Sequence, residues 1–466
     1  MLIAKRKDVD WWEAPILFAT FLLVFFCARL PLFSLGWDGQ DASGHDADIF
    51  FHQPTKPNYF LFGRIHGQEI YVPPFGHPAP PYEMYALLGK ALKWVIPYQT
   101  FSDVQIIVLL KIISSLFQLV IWLPLLWLMI RNCSARPQRL VGCLIITAHA
   151  LSPLAIQGSN EFQIDSTFGF VMAGAYALAL LFADRNEHQP IFGFLAVLAT
   201  SAFLGLGKNE WTLVLVIAWG ILLAMWLTTS LVSHLGDDHQ SRRFSLCLSA
   251  TFLGLGIGNL ASYLFEPALY TSGWELMAEM VKTASIASDA GRNHFVEINK
   301  ERFRFTQAPI FLIVFIVWQL ALRRSRFSPG LILASIFGFG LFSAFSISSW
   351  ASYARYFAPA SAALSVAMVW LYIERPFKAA TLLACTLASC WLVVAGVRFA
   401  HSTDLARISI FGIRDIRTGP DAKCALLLPV EDAYRRKDLD FAHIGWGYQG
   451  AEELAQKFGG HVCPPG

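Results

Sequence analysis

Charged side chains are what the chain has least of. They occupy 15% of its 466 residues, where a soluble globular protein carries about 25%. Too few are available to cover a water-facing surface, which excludes an ordinary cytosolic fold. The net charge of +3 is nearly balanced and gives no reason to expect a nucleic-acid partner. The eight cysteines include no CxxC pair and no Cys/His cluster at zinc-ligand spacing. A Rossmann glycine fingerprint and a phosphate-binding P-loop are also missing, so direct use of a nucleotide-linked sugar has no sequence support. What fills the chain instead is apolar: 55% hydrophobic residues, with 38 Phe and 15 Trp, at a mean hydropathy of +0.48. Disordered, collagen-like and coiled-coil classes fall away with that composition. The remaining class is an all-α polytopic membrane protein, whose partner is the lipid bilayer.

A spanning helix needs about 20 mainly apolar residues. Uncharged stretches between polar punctuation predict about eleven. The first runs from Ala14 to Leu35 behind Lys5, Arg6 and Lys7, and stays as an anchor because no small-x-small cleavage site follows it. The others run from Val104 to Ile130, Leu140 to Gln157, Ser166 to Ala183, Ile191 to Leu206, Trp211 to Val232 and Phe244 to Phe265. Four more follow, from Pro309 to Leu322, Ser328 to Phe345, Phe357 to Ile373 and Ala379 to Val397. Most cysteines, including Cys27, Cys143, Cys247, Cys385 and Cys390, fall in these apolar runs and are expected to pack as small hydrophobes.

Short loops rich in Arg and Lys stay cytoplasmic. With the N-terminus inside, Arg131, Arg136 and Arg139 share one inner loop, Arg242 and Arg243 another, and Arg323, Arg324 and Arg326 a third, with Arg375 and Lys378 also inside. Counting Tyr82 to Val95 as a span would reverse all of these. That segment carries Glu83, Lys90 and Lys93 and reads as a helix lying at the outer interface. A membrane module of residues 1–398 results, with long outer loops at 36–103 and 266–307, followed by a small extracytoplasmic region at 399–466. The final region mixes a strand-like Ala425 to Val430 with a helical Ala451 to Phe458 and holds Cys424 and Cys463, either paired or as two thiols.

Polar residues beside a spanning helix need a reason. The first outer loop places Asp38, Asp41, Asp46 and Asp48 within a dozen residues, with His45 and His52 interleaved. Carboxylates at an interface can deprotonate a hydroxyl acceptor or hold a divalent cation. The His45, Asp46, Asp48 and His52 spacing matches no well-specified metal motif, so no metal ligands are assigned and no cofactor is predicted; a divalent cation stays open. The second outer loop has helical spacing from Trp274 to Ile286 and then a basic stretch with Arg292, His294, Lys300, Arg302 and Arg304.

The pattern D-x-x-I-F-F from Asp46, then Gly67, Tyr71 and His77-Pro78-Ala79-Pro80-Pro81-Tyr82 before the interfacial helix, resembles the first outer loop of type-C (GT-C) integral membrane glycosyltransferases. Leu151-Ser152-Pro153, Gly158 and Asp165 are similar to that superfamily's second acidic site, Lys208 in GLGKNEW to a lysine after a glycine-containing helix end, and Arg355-Tyr356 with Pro359 to an R-Y-x-x-P before a late span. The resemblance implies transfer of a sugar from a polyprenyl-phosphate donor to a glycan, lipid or protein acceptor, with inversion, outside a bacterial inner membrane. It implies a catalytic acid among Asp46, Asp48, Asp41 and Asp38, and a second at Asp165. No Asp here is followed by Glu, unlike the superfamily's common Asp-Glu pair, so the choice among the four is open. Lys208, Arg355 and Arg64 would stabilise the phosphate leaving group, with His77, Tyr82 and Tyr356 lining the substrate site.

Each assignment has a structural counterpart. Asp165 suits an N-cap of the fourth span, Lys208 a snorkelling surface lysine, and Arg355 an interface anchor. His149 is expected to be hydrogen-bonded within the bundle, and Lys111 either pairs with a loop carboxylate or snorkels. Two other functions fit a many-span chain. A polysaccharide polymerase or ligase would use the basic stretch from Arg292 to Arg304, and a transporter would show broken hydrophobic segments in corresponding halves. No internal repeat or broken pair is apparent in the sequence. The orientation has a direct test: with native cysteines replaced, Ser134→Cys is modified by an impermeant maleimide only from the cytoplasmic side, and labelling from outside would overturn the topology.

Overall fold

The structure is a computed structural model that describes residues 12–30, 103–160, 164–185, 190–232, 238–265, 329–347 and 357–374, with short pieces between 267 and 278 and between 386 and 397. Among the described residues it is all-helical, without strands. Helix α1 is Glu13–Cys27, α2 Asp103–Asn132, α3 Arg136–Ala150 and α4 Pro153–Asn160. A π-helical turn, Ile164–Gly169, leads into α5, Phe170–Arg185. Then come α6 Pro190–Gly207, α7 Asn209–Val232, α8 Asp238–Phe265, α9 Pro329–Ile347 and α10 Ala358–Glu374. Among the described residues two stretches, Ile112–Asn132 and Ser245–Phe265, are long and apolar enough to cross a membrane.

Helix α10 sits at the centre. Every residue from Phe357 to Ile373 is buried, as expected of a helix apolar all round. Its alanines and serines, among them Ala358, Ala360, Ser361, Ala362, Ala363, Ser365 and Ala367, keep it slim enough for α2, α3, α4, α5 and α9 to pack around it. One end of the bundle is marked by arginine. Arg139 donates from Nε and Nη2 to the Glu13 carboxylate at 3.0 and 2.5 Å, and from Nη1 to the carbonyls of Cys133 and Ser134. The Tyr372 hydroxyl donates to the Gln138 carbonyl at 2.6 Å, which fixes the last turn of α10 at this same end. Arg131 and Arg136 remain exposed there, over the rings of Trp127 and Trp12. Three arginines that looked equivalent in sequence thus divide into one buried tie and two surface charges. Burial also pushes the Cys133 thiol beside Arg139 up to about 11, the guanidinium opposing the shift.

The predicted third span is corrected. Leu140 to Gln157 is not one helix: α3 stops at Ala150, Leu151 leaves the helical region (φ −103°, ψ 7°), and α4 begins at Pro153. Proline has no N–H to donate to the carbonyl four residues back, and its ring crowds that carbonyl. The first span also ends earlier as a helix, at Cys27 with Ala28 as its cap. Cys143 and Cys247 are buried as expected, but Cys27 and Cys390 lie on exposed apolar faces, because those helices turn that side away from the bundle. Segments 309–322, 399–466 and most of the two outer loops lie outside the described residues.

Helices α6 and α8 approach each other closely. A Cβ on Gly254 would collide with the Leu198 carbonyl and the Ser201 side chain, and one on Gly258 with the Ala202 carbonyl. Glycine four residues apart lets backbones approach this closely in apolar surroundings. A second contact binds α5, α7 and α8: Trp219 Nε1 donates to the Tyr176 hydroxyl, which donates to Thr251 Oγ1, which donates to the Cys247 carbonyl. The glycines allow a controlled comparison. Gly258→Leu should destabilise the purified protein by at least about 2 kcal/mol, whereas Gly256→Leu, with nothing within 4 Å of its Cβ position, should leave the melting temperature within a degree or two of the wild type.

Candidate functional site

Far from the arginine end, three helix starts meet. The first turn of α10 must lie there, because its last turn is held at Gln138 and about 20 Å of helix separates the two. A Cβ on Gly169, the last residue of the π-helical turn, would meet the Trp211 ring at 2.5 Å and Pro359 Cγ at 2.9 Å. The Phe168 ring stacks on Trp211 with centroids 6.3 Å apart. The turn bearing Asp165, the α6–α7 junction bearing Lys208 and the α10 start that follows Arg355-Tyr356 therefore share one location. These elements are separated by tens of residues in the chain, and each carries one of the sequence-predicted motifs.

Two of the predicted site residues fall within the described structure. Lys208 is 2% exposed, which corrects the reading of a snorkelling surface lysine: the α6–α7 turn folds it inward, and its carbonyl accepts from the backbone N–H of Trp211 and Thr212. Asp165 is the second residue of the π-helical turn, inside the helical segment and not flanking it, which corrects the N-cap reading. The insertion of a π turn moves the helix start to Ile164. Asp38, Asp41, Asp46, Asp48, Arg64, His77, Tyr82, Arg355 and Tyr356 lie outside the described residues. Among the described residues no three His, Cys, Asp or Glu side chains gather at metal-ligand distances.

The structure adds Arg29, which is fully buried. Its Nε donates to Ser159 Oγ at 2.7 Å, Nη1 to the Phe25 carbonyl at 3.1 Å, and Nη2 to Gln118 Oε1 at 3.0 Å and the Ala150 carbonyl at 2.8 Å, with Ala155 O at 3.5 Å. The Phe25 ring lies 3.7 Å below the guanidinium carbon. Gln118 Nε2 donates to the Ala155 carbonyl at 2.8 Å. The carbonyls of Ala150 and Ala155 flank the α3–α4 break. A lone arginine within an apolar run was the available sequence signal; its partners, contributed by three other helices, left no pattern in the primary structure.

Amide side chains secure the neighbouring rim. Asn259 Nδ2 donates to Thr212 Oγ1 and the Leu255 carbonyl, and its Oδ1 accepts from the Tyr270 hydroxyl at 3.1 Å. Oriented by the donors around it, the Asn209 amide oxygen accepts from Trp274 Nε1 at 3.3 Å. Tyr270 packs edge-on to Tyr263 and Trp274, so the chain at residues 270–274 is pinned to α7 and α8. Buried polar atoms normally find partners; Trp211 Nε1, Ser152 Oγ and Ser361 Oγ, all near this end, have none among the described residues. Deeper in, His149 behaves as expected, with Nδ1 3.2 Å from Ser365 Oγ and Nε2 3.3 Å from Met368 Sδ. Asn259→Leu should cost about 1–3 kcal/mol of stability and speed amide hydrogen exchange at 270–274, measured by mass spectrometry.

Comparison of the chain with protein-family models, with curated proteins and with solved structures finds no match.

Proposed function

We propose that the protein is a polytopic membrane glycosyltransferase with about eleven spans, transferring a sugar from a polyprenyl-phosphate donor to a hydroxyl acceptor at the extracytoplasmic face. The observation that supports this reading is the convergence at Gly169, Trp211 and Pro359, which brings the turn of Asp165, the junction of Lys208 and the first turn of α10 together at the end opposite the arginine-rich loop. Exposed apolar faces, such as Phe252, Leu253, Ile257, Leu260 and Leu264 on α8, suit contact with acyl chains. The likeness to GT-C enzymes is part of this proposal, and so is the assignment to a bacterial inner membrane.

The chemistry asks for two charges at one depth. A carboxylate of Asp46 or Asp48 takes the acceptor hydroxyl proton, the acceptor oxygen forms a bond to the anomeric carbon, and the bond from that carbon to the phosphate oxygen breaks. Lys208, Arg355 and Arg64 receive the phosphate charge that develops, and the product has inverted anomeric configuration. The α3–α4 break favours a second reading, a transporter, since discontinuous helices mark many carrier sites. Transfer and flux assays separate the two.

Purified protein given a panel of polyprenyl-phosphate sugars and acceptors should form an inverted glycoside. Asp46→Asn or Asp48→Asn should lower turnover by about two to four orders of magnitude with expression and melting unchanged. Full activity in both variants would refute the base, and donor-independent solute flux without product would favour the transporter.

A further inference from the structure

We propose that Arg29 is the positioning residue of the acidic turn: its guanidinium clips the two halves of the broken third span together and thereby fixes the π-helical turn that carries Asp165. This inference rests on the reading of Asp165 as a residue of the transfer site.

The linkage is short and made of described contacts. Arg29 Nε holds Ser159 on α4. The adjacent residue, Gly158, accepts from Thr167 Oγ1 at 3.0 Å, and Thr167 lies two residues beyond Asp165 in the same π-helical turn. On the other side of the break, Nη2 holds the Ala150 carbonyl of α3 and Gln118 of α2. Without these donors, α4 would keep the Gln118 Nε2 bond to its Ala155 carbonyl and the Thr167 bond to Gly158, but Gln118 would lose the guanidinium that orients it, and the chain connection at Pro153 is already short of one backbone hydrogen bond.

A buried guanidinium can instead be a receptor for an anion, but four of its five N–H groups already have protein acceptors within 3.1 Å. Its donors are committed to the fold, and the anion reading is the weaker one. The planar fork also explains the residue type: Nε, Nη1 and Nη2 reach α4, α1, α2 and α3 at once. A lysine presents a single nitrogen and cannot span that set. π-helical turns are strained insertions that recur at functional sites, and one next to a helix break requires external support to hold a single geometry.

The test is the modification rate of Asp165→Cys by an impermeant maleimide, in full-length protein whose native cysteines are replaced. Adding Arg29→Met should raise that rate by roughly tenfold or more through local opening, while Ser134→Cys at the arginine end stays within about twofold. Arg29→Lys should restore part of the protection. Should Arg29→Met fail to fold, Ser159→Ala removes only the Nε link to α4, leaves the guanidinium in place and is expected to raise the rate at 165 in the same direction. An unchanged rate in folded protein, or equal increases at 165 and 134, would overturn the proposal. Asp165→Asn in the transfer assay separates the two ideas: full transfer alongside a responsive position 165 removes the site reading and keeps the clip, whereas lost transfer with an unresponsive position 165 does the reverse.

Discussion

A helix that breaks inside an apolar bundle leaves backbone carbonyls that water cannot reach, and each must find a donor. This constraint acts at Leu151-Ser152-Pro153 and organises much of what surrounds it. Arg29 answers it at the end of α3, donating to the Ala150 carbonyl, while its other donors reach the Phe25 carbonyl of α1, Gln118 of α2 and Ser159 of α4. Hydrogen bonds from a charged donor are worth about 1.5–3 kcal/mol each, so the same contacts also offset the desolvation of the guanidinium.

The two ends of the bundle use arginine differently. Arg139 meets a carboxylate, Glu13, in a buried pair, where loss of either partner would strand a charge. Arg29 meets only neutral groups and an aromatic face among the described residues. Glu13 opens α1 and Arg29 lies just past its Ala28 cap, so one short segment carries both ties, and with them it binds the first turn of α3 at one end and the α3–α4 break at the other. Between these layers, the slim all-buried α10 lets the other helices approach.

Much of the architecture was legible because lipid-compatible helices have a simple signature. Long apolar runs predicted all-helical structure, and helices α2, α5, α6, α7, α8, α9 and α10 fall where those runs lie. The break at Pro153 was legible as a local rule but was overridden by the apolar character of residues 140–157, which reads as continuous. For the candidate site, sequence could name Asp165 and Lys208 but could not say that Lys208 turns inward or that Asp165 enters a π turn, since both depend on how α6–α7 and α4–α5 fold against α10.

Residue types and their order along the chain therefore determined the helical class, the approximate helix positions and the scarcity of charge that makes each ionisable residue conspicuous. These are local properties, set by propensity, hydropathy and the missing N–H of proline. Which arginine is buried, which carbonyls it satisfies and which helix starts meet at Trp211 were decided only in three dimensions. Such contacts join residues far apart in the chain, 130 positions for Arg29 and Ser159 and 234 for Tyr372 and Gln138, and depend on backbone approach and side-chain reach that no local pattern encodes.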